Sequence, residues 1–159
     1  MLGNENARRQ IGLILLSGQN SKFTDDINNK INDFNTAGII GSIPCGSMVP
    51  EEENVEDYVD LPIKIFGRGK LFLLYAYGDS MTGAGIDSGD MIVIDRLREP
   101  QNGDIVAAYV EGEGSTLKRF WRDEENGWIV LHPENEKYQD IIVKECRVQG
   151  VVRNVIKQM

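Results

Sequence analysis

The fold is organised around the stretch Tyr77-Gly-Asp-Ser-Met-Thr-Gly-Ala-Gly-Ile-Asp-Ser-Gly-Asp-Met-Ile-Val-Ile-Asp95. It places Ser80 on a glycine-flanked turn, with apolar strands predicted before it at residues 71–77 and after it at Met91–Asp95. A serine on a tight turn between core strands is one way in which a fold presents a nucleophile to a cleft. Because Gly, Asp and Ser are also common turn residues, this stretch alone favours an ordinary turn.

The length and composition describe a globular protein of one domain plus an arm. The chain has 159 residues, of which 41% are hydrophobic, and its net charge is −8. A chain of this length can form one good-sized domain but not two. The negative net charge argues against non-specific nucleic-acid binding, which needs clustered Lys and Arg side chains that contact the phosphates.

The few metal-ligating residues argue against a metal site or a disulfide framework. Cys45 and Cys146 have no CxxC spacing, and His132 is the only histidine. We therefore expect no cofactor and no metal, and we assign no role to Cys146. The apolar run at residues 11–16 is too short to span a bilayer, and no clear cleavage site follows it. The sequence thus predicts a cytoplasmic protein without a membrane anchor.

The chain before residue 55 is predicted to be an arm and a linker. Residues 23–34 place Phe23, Ile27, Ile31 and Phe34 at helical spacing, which predicts a short amphipathic helix. Residues 1–45 carry four basic and four acidic side chains, so direct DNA binding by this region is not expected. Residues 36–50 are small, apolar and rich in Gly and Pro, which predicts an extended, mobile segment. We divide the chain into an arm at 1–45, a mobile linker at 46–54 and a domain at 55–159.

The domain at 55–159 is predicted to be mostly β. Val59, Leu61, Ile63 and Ile65 alternate with other residues, as in a half-buried strand. Turn residues separate further short apolar segments, and no long helical pattern intervenes. These segments are 71–77, Met91–Asp95, Ile105–Val110, 116–121, 128–131, Ile141–Val143 and 148–156.

Two side chains could act as the base for a nucleophilic Ser80. His132 is suited by residue type, but no motif links it to Ser80, and a structural or surface histidine is favoured. Lys118 stands in Ser-Thr-Leu-Lys-Arg-Phe-Trp, where apolar neighbours could bury it and lower its pKa by desolvation. The adjacent Arg119 points to the other face of a strand, so composition alone leaves open which of the two is exposed.

Six blocks of the sequence resemble the LexA/UmuD family of self-cleaving Ser-Lys proteases. They occur in the family's order across residues 41–157, and six blocks with compatible spacing are far more specific than one. They are Gly78-Asp-Ser-Met81, Gly85-Ile-Asp-Ser-Gly-Asp-Met-Ile-Val-Ile-Asp95, Asn102-Gly-Asp-Ile-Val106, Thr116-Leu-Lys-Arg-Phe120, Leu131-His-Pro-Glu-Asn135 and Gly150-Val-Val152.

The resemblance implies a LexA-like C-terminal catalytic domain with named site residues. The family's nucleophile falls on Ser80 and its general base on Lys118. Its cleavage site, a small residue followed by glycine, falls on Cys45-Gly46, so cleavage would remove or release the arm at 1–45. The backbone N–H groups of Ser80 and Asp79 would stabilise the oxyanion. A RecA filament on single-stranded DNA would promote the cleavage.

The resemblance leaves the biological role open between two hypotheses. The Cys-Gly pair and the zero net charge of residues 1–45 favour a UmuD-type homodimer that joins a UmuC-like error-prone polymerase in translesion synthesis. The alternative is a LexA-like transcriptional regulator with a reduced N-terminal region, inactivated by self-cleavage. A relative of the signal peptidases would share the dyad, but the missing membrane anchor argues against it.

Overall fold

The computed structural model describes residues 33–41 and 55–159, which form one open, mixed β-sheet. The predictions for Cys45-Gly46, for the linker at 46–54 and for most of the helix at residues 23–34 lie outside the described residues. At the end of the predicted helix, Phe34 is described, and there the prediction is wrong because Phe34 pairs with Pro62 in a strand. Nine strands follow the order β2-β1-β3-β4-β9-β5-β6-β7-β8 across the sheet. The strands are β1 (Phe34–Ile39), β2 (Asp57–Pro62), β3 (Leu71–Tyr75), β4 (Met91–Asp95), β5 (Ile105–Val110), β6 (Gly114–Asp123), β7 (Trp128–His132), β8 (Ile141–Val143) and β9 (Arg147–Ile156).

The mostly β prediction is confirmed, and the predicted strands differ from the observed ones mainly at their ends. Helical structure among the described residues is confined to α1 (Ile63–Phe66) and a single 3₁₀ turn (Thr82–Ala84). Neither of these helices is long and apolar enough to cross a membrane. All neighbouring strands run antiparallel except β1 and β3, which are parallel.

The centre of the sheet is buried on both faces, which explains the continuous apolar runs of β3 and β4. Successive side chains of a strand point to opposite faces. One face carries Phe72 and Ile92 with their neighbours in a cluster that includes Met81 and Ile86 of the Ser80 loop. The other face carries Leu73 and its neighbours, which pack against residues of β1 and β2. A third cluster fills the space between β5, β6, β7 and β9.

The segment after β2 is a helical turn and not a continuing strand. The alternation of Ile63 and Ile65 predicted a strand, and this prediction is wrong. Pro62 has a φ of −58°, and α1 begins immediately after it. Proline lacks an N–H for the strand ladder but fits the start of a helix. Ile65 is 69% exposed, so its apolar side chain does not mark a core position.

The strand β1 belongs to the sheet, although the sequence analysis placed it in the arm. It lies between β2 and β3 and pairs with both. Its backbone is extended, as predicted for residues 36–50, but within Phe34–Ile39 it is held by strand pairing. Because β1 forms a hairpin with β2, the segment 42–54 connects two chain ends that lie side by side. Glu56 N–H donates to Ile39 O at 2.8 Å at this end of the hairpin.

Candidate active site

Ser80 lies on a loop that connects β3 to β4 and is fixed by two buried side chains. Met81 is 3% exposed and Ile86 is 2% exposed, and both pack into the core cluster beneath the loop. Gly78 has a φ of +78° and Gly85 one of +79°, values that side chains of L-residues rarely adopt. The glycines therefore allow the reversals on both sides of Ser80, and the apolar anchors hold its position.

Lys118 extends from the middle of β6 into the interior, at the level of the Ser80 loop. It is 7% exposed and lies on the same face of the strand as the buried Phe120. Arg119 points the other way, where it pairs with Glu134 and donates to Gly103 O at 2.6 Å. The structure thus makes Lys118 the buried member of the pair.

The Lys118 amine is within hydrogen-bonding distance of the Ser80 hydroxyl. Nζ lies 3.1 Å from Ser80 Oγ, 2.5 Å from Thr116 Oγ1 and 2.9 Å from Leu117 O. Burial lowers the pKa of Lys118 below its usual value, and the negative charge of Glu113 opposes this only partly. The arrangement therefore combines a hydroxyl with an adjacent amine whose neutral form is favoured by its surroundings. Such a pair can transfer the hydroxyl proton to the amine and activate the oxygen.

A second loop, residues 133–138, holds the Ser80 loop from the side. Asn135 Nδ2 donates to Asp79 O at 2.8 Å, and Gly83 N–H donates to Glu134 O at 2.7 Å. The sequence analysis did not assign these contacts. The only signal for them was the Leu131-His-Pro-Glu-Asn135 block, which pointed to the family but not to a role.

The Asp79 carboxylate is also engaged by this second loop. Tyr138 donates its hydroxyl hydrogen to Asp79, and Lys137 Nζ lies 3.5 Å from the other carboxylate oxygen. The Tyr138 hydrogen bond, aided by Lys137, holds the pKa of Asp79 below its usual value, and the same carboxylate raises the pKa of Tyr138. Asp79 is thus a fixed anion that ties the turn to the neighbouring loop.

The two backbone N–H groups predicted to form the oxyanion site differ in their surroundings. Among the described residues, Ser80 N–H donates to no other group. The N–H of Asp79 faces the carboxylate of its own side chain, which contributes to the lowered pKa of that group. Within the described part of the chain, the two N–H groups thus differ in whether an acceptor already engages them.

His132 lies at the end of β7 and contacts an aspartate instead of Ser80. Its Nδ1 is 2.5 Å from Asp140 Oδ1, and its side chain is 46% exposed. Ser80 Oγ has its contact with Lys118. The Ser-His-Asp alternative therefore has no geometric support, in line with the preference stated from the sequence. Cys146 is half-buried, and desolvation raises the pKa of its thiol.

A cleft of about 350 Å³ opens beside Ser80 and is lined mainly by apolar groups. Leu74, Ala76, Ala107 and Leu117 form its walls, while Ser80 and Thr116 contribute hydroxyl groups. Tyr77, at the rim, is 79% exposed. Within residues 33–41 and 55–159, no cluster of His, Cys, Asp and Glu side chains could hold a metal ion. The cleft suits an extended segment with small or apolar side chains.

A second cleft, of about 420 Å³, adjoins the first and contains the end of the β1 segment. Gly41 and Glu56 line it, together with Tyr75, Ala76 and Tyr77, which also line the cleft beside Ser80. Tyr75 N–H donates to Gly41 O at 3.0 Å. Gly41, the last described residue before the segment 42–54, therefore lies next to the cleft of Ser80.

Comparisons with known proteins show the family to which the chain is related. The model of the Peptidase S24-like family matches residues 38–153, a range that includes Ser80 and Lys118. LexA repressors are similar to the chain: that of Clostridium perfringens is 39% identical over 126 residues, covering 79% of this chain and 61% of the repressor. The LexA repressor of Carboxydothermus hydrogenoformans is 39% identical over 121 residues, covering 76% of this chain and 59% of the repressor.

A further LexA repressor, from a Geobacillus species, is 36% identical over 130 residues, covering 81% of this chain and 62% of the repressor. The chain thus spans about three fifths of the length of these relatives. They carry the name of the repressor and not that of the polymerase subunit. The resemblance found in the sequence is confirmed for the family but not for its UmuD branch. The chain belongs to the Peptidase S24-like family.

Proposed function

We propose that this chain is a self-cleaving serine endopeptidase with Ser80 as the nucleophile and Lys118 as the general base. The observation that carries the proposal is the 3.1 Å contact between Ser80 Oγ and the Nζ of a lysine that is 7% exposed. An exposed lysine is protonated at neutral pH and cannot accept a proton. Burial favours the neutral amine, which can accept one.

The proposed reaction cuts the peptide bond between Cys45 and Gly46. Neutral Lys118 takes the hydroxyl proton while Ser80 Oγ attacks the carbonyl carbon of Cys45. The oxyanion accepts hydrogen bonds from the N–H of Ser80 and, secondarily, of Asp79. As the carbon–nitrogen bond breaks, the Lys118 ammonium returns its proton to the Gly46 amine. Water, deprotonated by Lys118, then hydrolyses the acyl-enzyme and restores Ser80.

The position of β1 supports cleavage within one molecule. Strand β1 runs parallel to β3, so the chain leaves β1 in the direction in which β3 leads to Ser80. Cys45 lies four residues beyond Gly41, and four extended residues span at most about 14 Å. Gly41 already borders a cleft that shares Tyr75 with the cleft of Ser80. A short tether of this kind gives a high effective concentration of the bond at the nucleophile.

We further propose that the cleavage regulates a LexA-type transcriptional repressor. The relatives named LexA repressor support this role. The hypothesis of a UmuC-like polymerase partner was based on the Cys-Gly pair and the zero net charge of residues 1–45, and the relatives named above do not support it. Activation by a RecA filament and self-association as a homodimer are parts of the proposal that follow from the resemblance.

Intact-mass analysis of the purified protein during incubation between pH 7 and pH 10 tests the peptidase. We expect two fragments with the masses of residues 1–45 and 46–159. Ser80→Ala and Lys118→Ala should each abolish them. The matched controls are Ser88→Ala, on the same loop, and Lys64→Ala, an exposed lysine on α1. Cutting at another bond, or cutting by either active-site variant, contradicts the assignment.

Two further measurements test the mode and the role. For cleavage within one molecule, the first-order rate constant should stay the same over a hundred-fold dilution, and wild type should not cut added Ser80→Ala protein. The regulator proposal departs from the expectation that residues 1–45 do not bind DNA. If it is right, the uncut protein should shift a DNA fragment from its own promoter, and cleavage should remove the shift. Absence of DNA binding together with capture of an error-prone polymerase would favour the polymerase-subunit hypothesis.

A further inference from the structure

Strand β1 is an interior strand of the sheet, although it precedes the proposed cleavage site. It pairs with β2 over the six residues Phe34–Ile39 and with β3 on its other side. Ile40 N–H continues the contact with β3 by donating to Leu73 O at 2.8 Å. Asn35 also donates through its side chain to Gly67 O at 2.7 Å. The segment is thus hydrogen-bonded along both edges.

Buried side chains connect this segment to two parts of the core. Ala37 is fully buried among Leu61, Leu71 and Leu73 on one face of the sheet. Ile40 is 7% exposed and belongs to the cluster on the other face, the one that holds the Ser80 loop. Removing the segment would expose apolar surface on both faces and open the packing beneath the Ser80 loop.

The neighbouring strand β2 depends on β1 as well. Among the described residues, β1 is the one strand with which β2 pairs. Leu61 of β2 is 4% exposed and packs in the same cluster as Ala37. If β1 left, β2 would be an isolated strand with an unpaired backbone and a half-exposed core residue. Both are unfavourable, because water replaces the backbone hydrogen bonds only in part of their net value and the exposed apolar surface loses its contacts.

We propose that a cut anywhere in residues 42–54 leaves residues 33–41 bound in the sheet, so that the cleaved product is a two-chain domain. This inference rests on the proposed self-cleavage for its biological setting. The fragment 1–45 then becomes a non-covalent ligand of 46–159, held by the groove between β2 and β3. The cut converts a covalent connection into one that depends on concentration. Release of the fragment becomes a separate step that needs dilution, a competing strand or unfolding.

The test supplies the cut independently of the protein's own activity. In the full-length Ser80→Ala chain, a recognition sequence for a site-specific protease is inserted after Ser47, and the protein is cut to completion. Size-exclusion chromatography and native mass spectrometry at about 10 μM then report the state of the two fragments. We expect them to elute together as one complex with the mass of the uncut chain. Separation of the fragments, with 46–159 still folded by circular dichroism, overturns the proposal.

Two alanine substitutions within residues 33–41 distinguish binding through this segment from binding through any other part of residues 1–45. Ile40→Ala removes most of a buried apolar side chain. The packing energy lost in such a substitution would raise the dissociation constant of the two fragments roughly 30-fold or more. Phe34→Ala removes an apolar side chain that is 45% exposed, and we expect a change of less than about fivefold. A dissociation constant that Ile40→Ala leaves unchanged would place the binding outside residues 33–41 and refute the inference.

The design keeps this inference apart from the proposed function. If the wild-type protein does not cut itself but the nicked Ser80→Ala complex stays together, the peptidase proposal fails and strand retention stands. If the protein cuts itself and the nicked complex falls apart, the peptidase proposal stands and strand retention fails.

Discussion

Replacing Lys118 with methionine should separate the chemical role of the amine from its role in packing. Methionine has nearly the same volume and shape as the lysine side chain but no proton acceptor of comparable basicity. Loss of a general base costs about 10²- to 10⁴-fold in rate. We therefore expect self-cleavage of Lys118→Met to fall at least about 100-fold below wild type.

The stability of the same variant should change little, for reasons visible in the site. Lys118 is 7% exposed, so its aliphatic stem is packed and methionine keeps those contacts. Volume-conserving core replacements cost less than about 1.5 kcal/mol. The variant loses the amine's contacts with Ser80, Thr116 and Leu117, but it no longer desolvates an ammonium group. For a chain of this size, we expect the melting temperature to stay within about 6 °C of wild type.

The lowered pKa of Lys118 also predicts how the stability of the protein changes with pH. The pKa of Lys118 is lowered by burial, so between that value and 10.5 the unfolded chain binds more protons than the folded one. Wild-type stability should therefore contain a component that rises with pH through this window. Lys118→Met should lack that component.

Intact-mass kinetics and thermal unfolding monitored by circular dichroism measure both properties on the same samples. Self-cleavage of Lys118→Met within tenfold of wild type would refute the role of the amine. A melting temperature lowered by more than about 10 °C would show instead that the contacts of the amine with Ser80, Thr116 and Leu117 also stabilise the fold.

Two other substitutions test the contacts that support the site. In Gly83→Ala, the new Cβ would lie 2.5 Å from the backbone oxygen of Glu134, so the Ser80 loop must shift. We expect self-cleavage to be at least about tenfold slower by intact mass. Circular dichroism should show that the folded sheet is retained. A wild-type rate would show that the 133–138 loop does not position the nucleophile. In Arg153→Met, the buried Asp95 carboxylate loses its ion pair at 2.8 Å, and we expect a loss of roughly 3 kcal/mol in urea unfolding, partly restored by adding Asp95→Asn. An unchanged midpoint for the single variant would contradict this.

The strands around Ser80 could be predicted because their sequences are short, continuous apolar runs, which are typical of buried strands. Met91–Asp95 and Ile105–Val110 are short apolar runs between turn residues, and both strands have the predicted bounds. The pattern failed at Ile63 and Ile65, where two apolar side chains at alternate positions belong to a single helical turn after Pro62. Two apolar positions are too few to distinguish the two periodicities.

The candidate site was only partly accessible from the sequence. Ser80 and Lys118 followed from the resemblance, but which of Lys118 and Arg119 is buried depends on the phase of β6. The exposed Trp121 and the buried Phe120 fix that phase in the structure. The support from Asn135 could not be predicted, because it joins residues 56 positions apart through a loop without a regular pattern. The strand β1 was missed since its small residues, including Ala37, derive their burial from neighbours distant in sequence.

The rate of self-cleavage as a function of pH tests most directly the claim that a buried, neutral Lys118 activates Ser80. For wild type, the first-order rate constant should rise about tenfold per pH unit and level off at the lowered pKa of Lys118, below 10.5. The profile should be the same in His132→Ala, because His132 contacts Asp140 and not Ser80. A rate that levels off near pH 7 and is lost in His132→Ala would contradict the account.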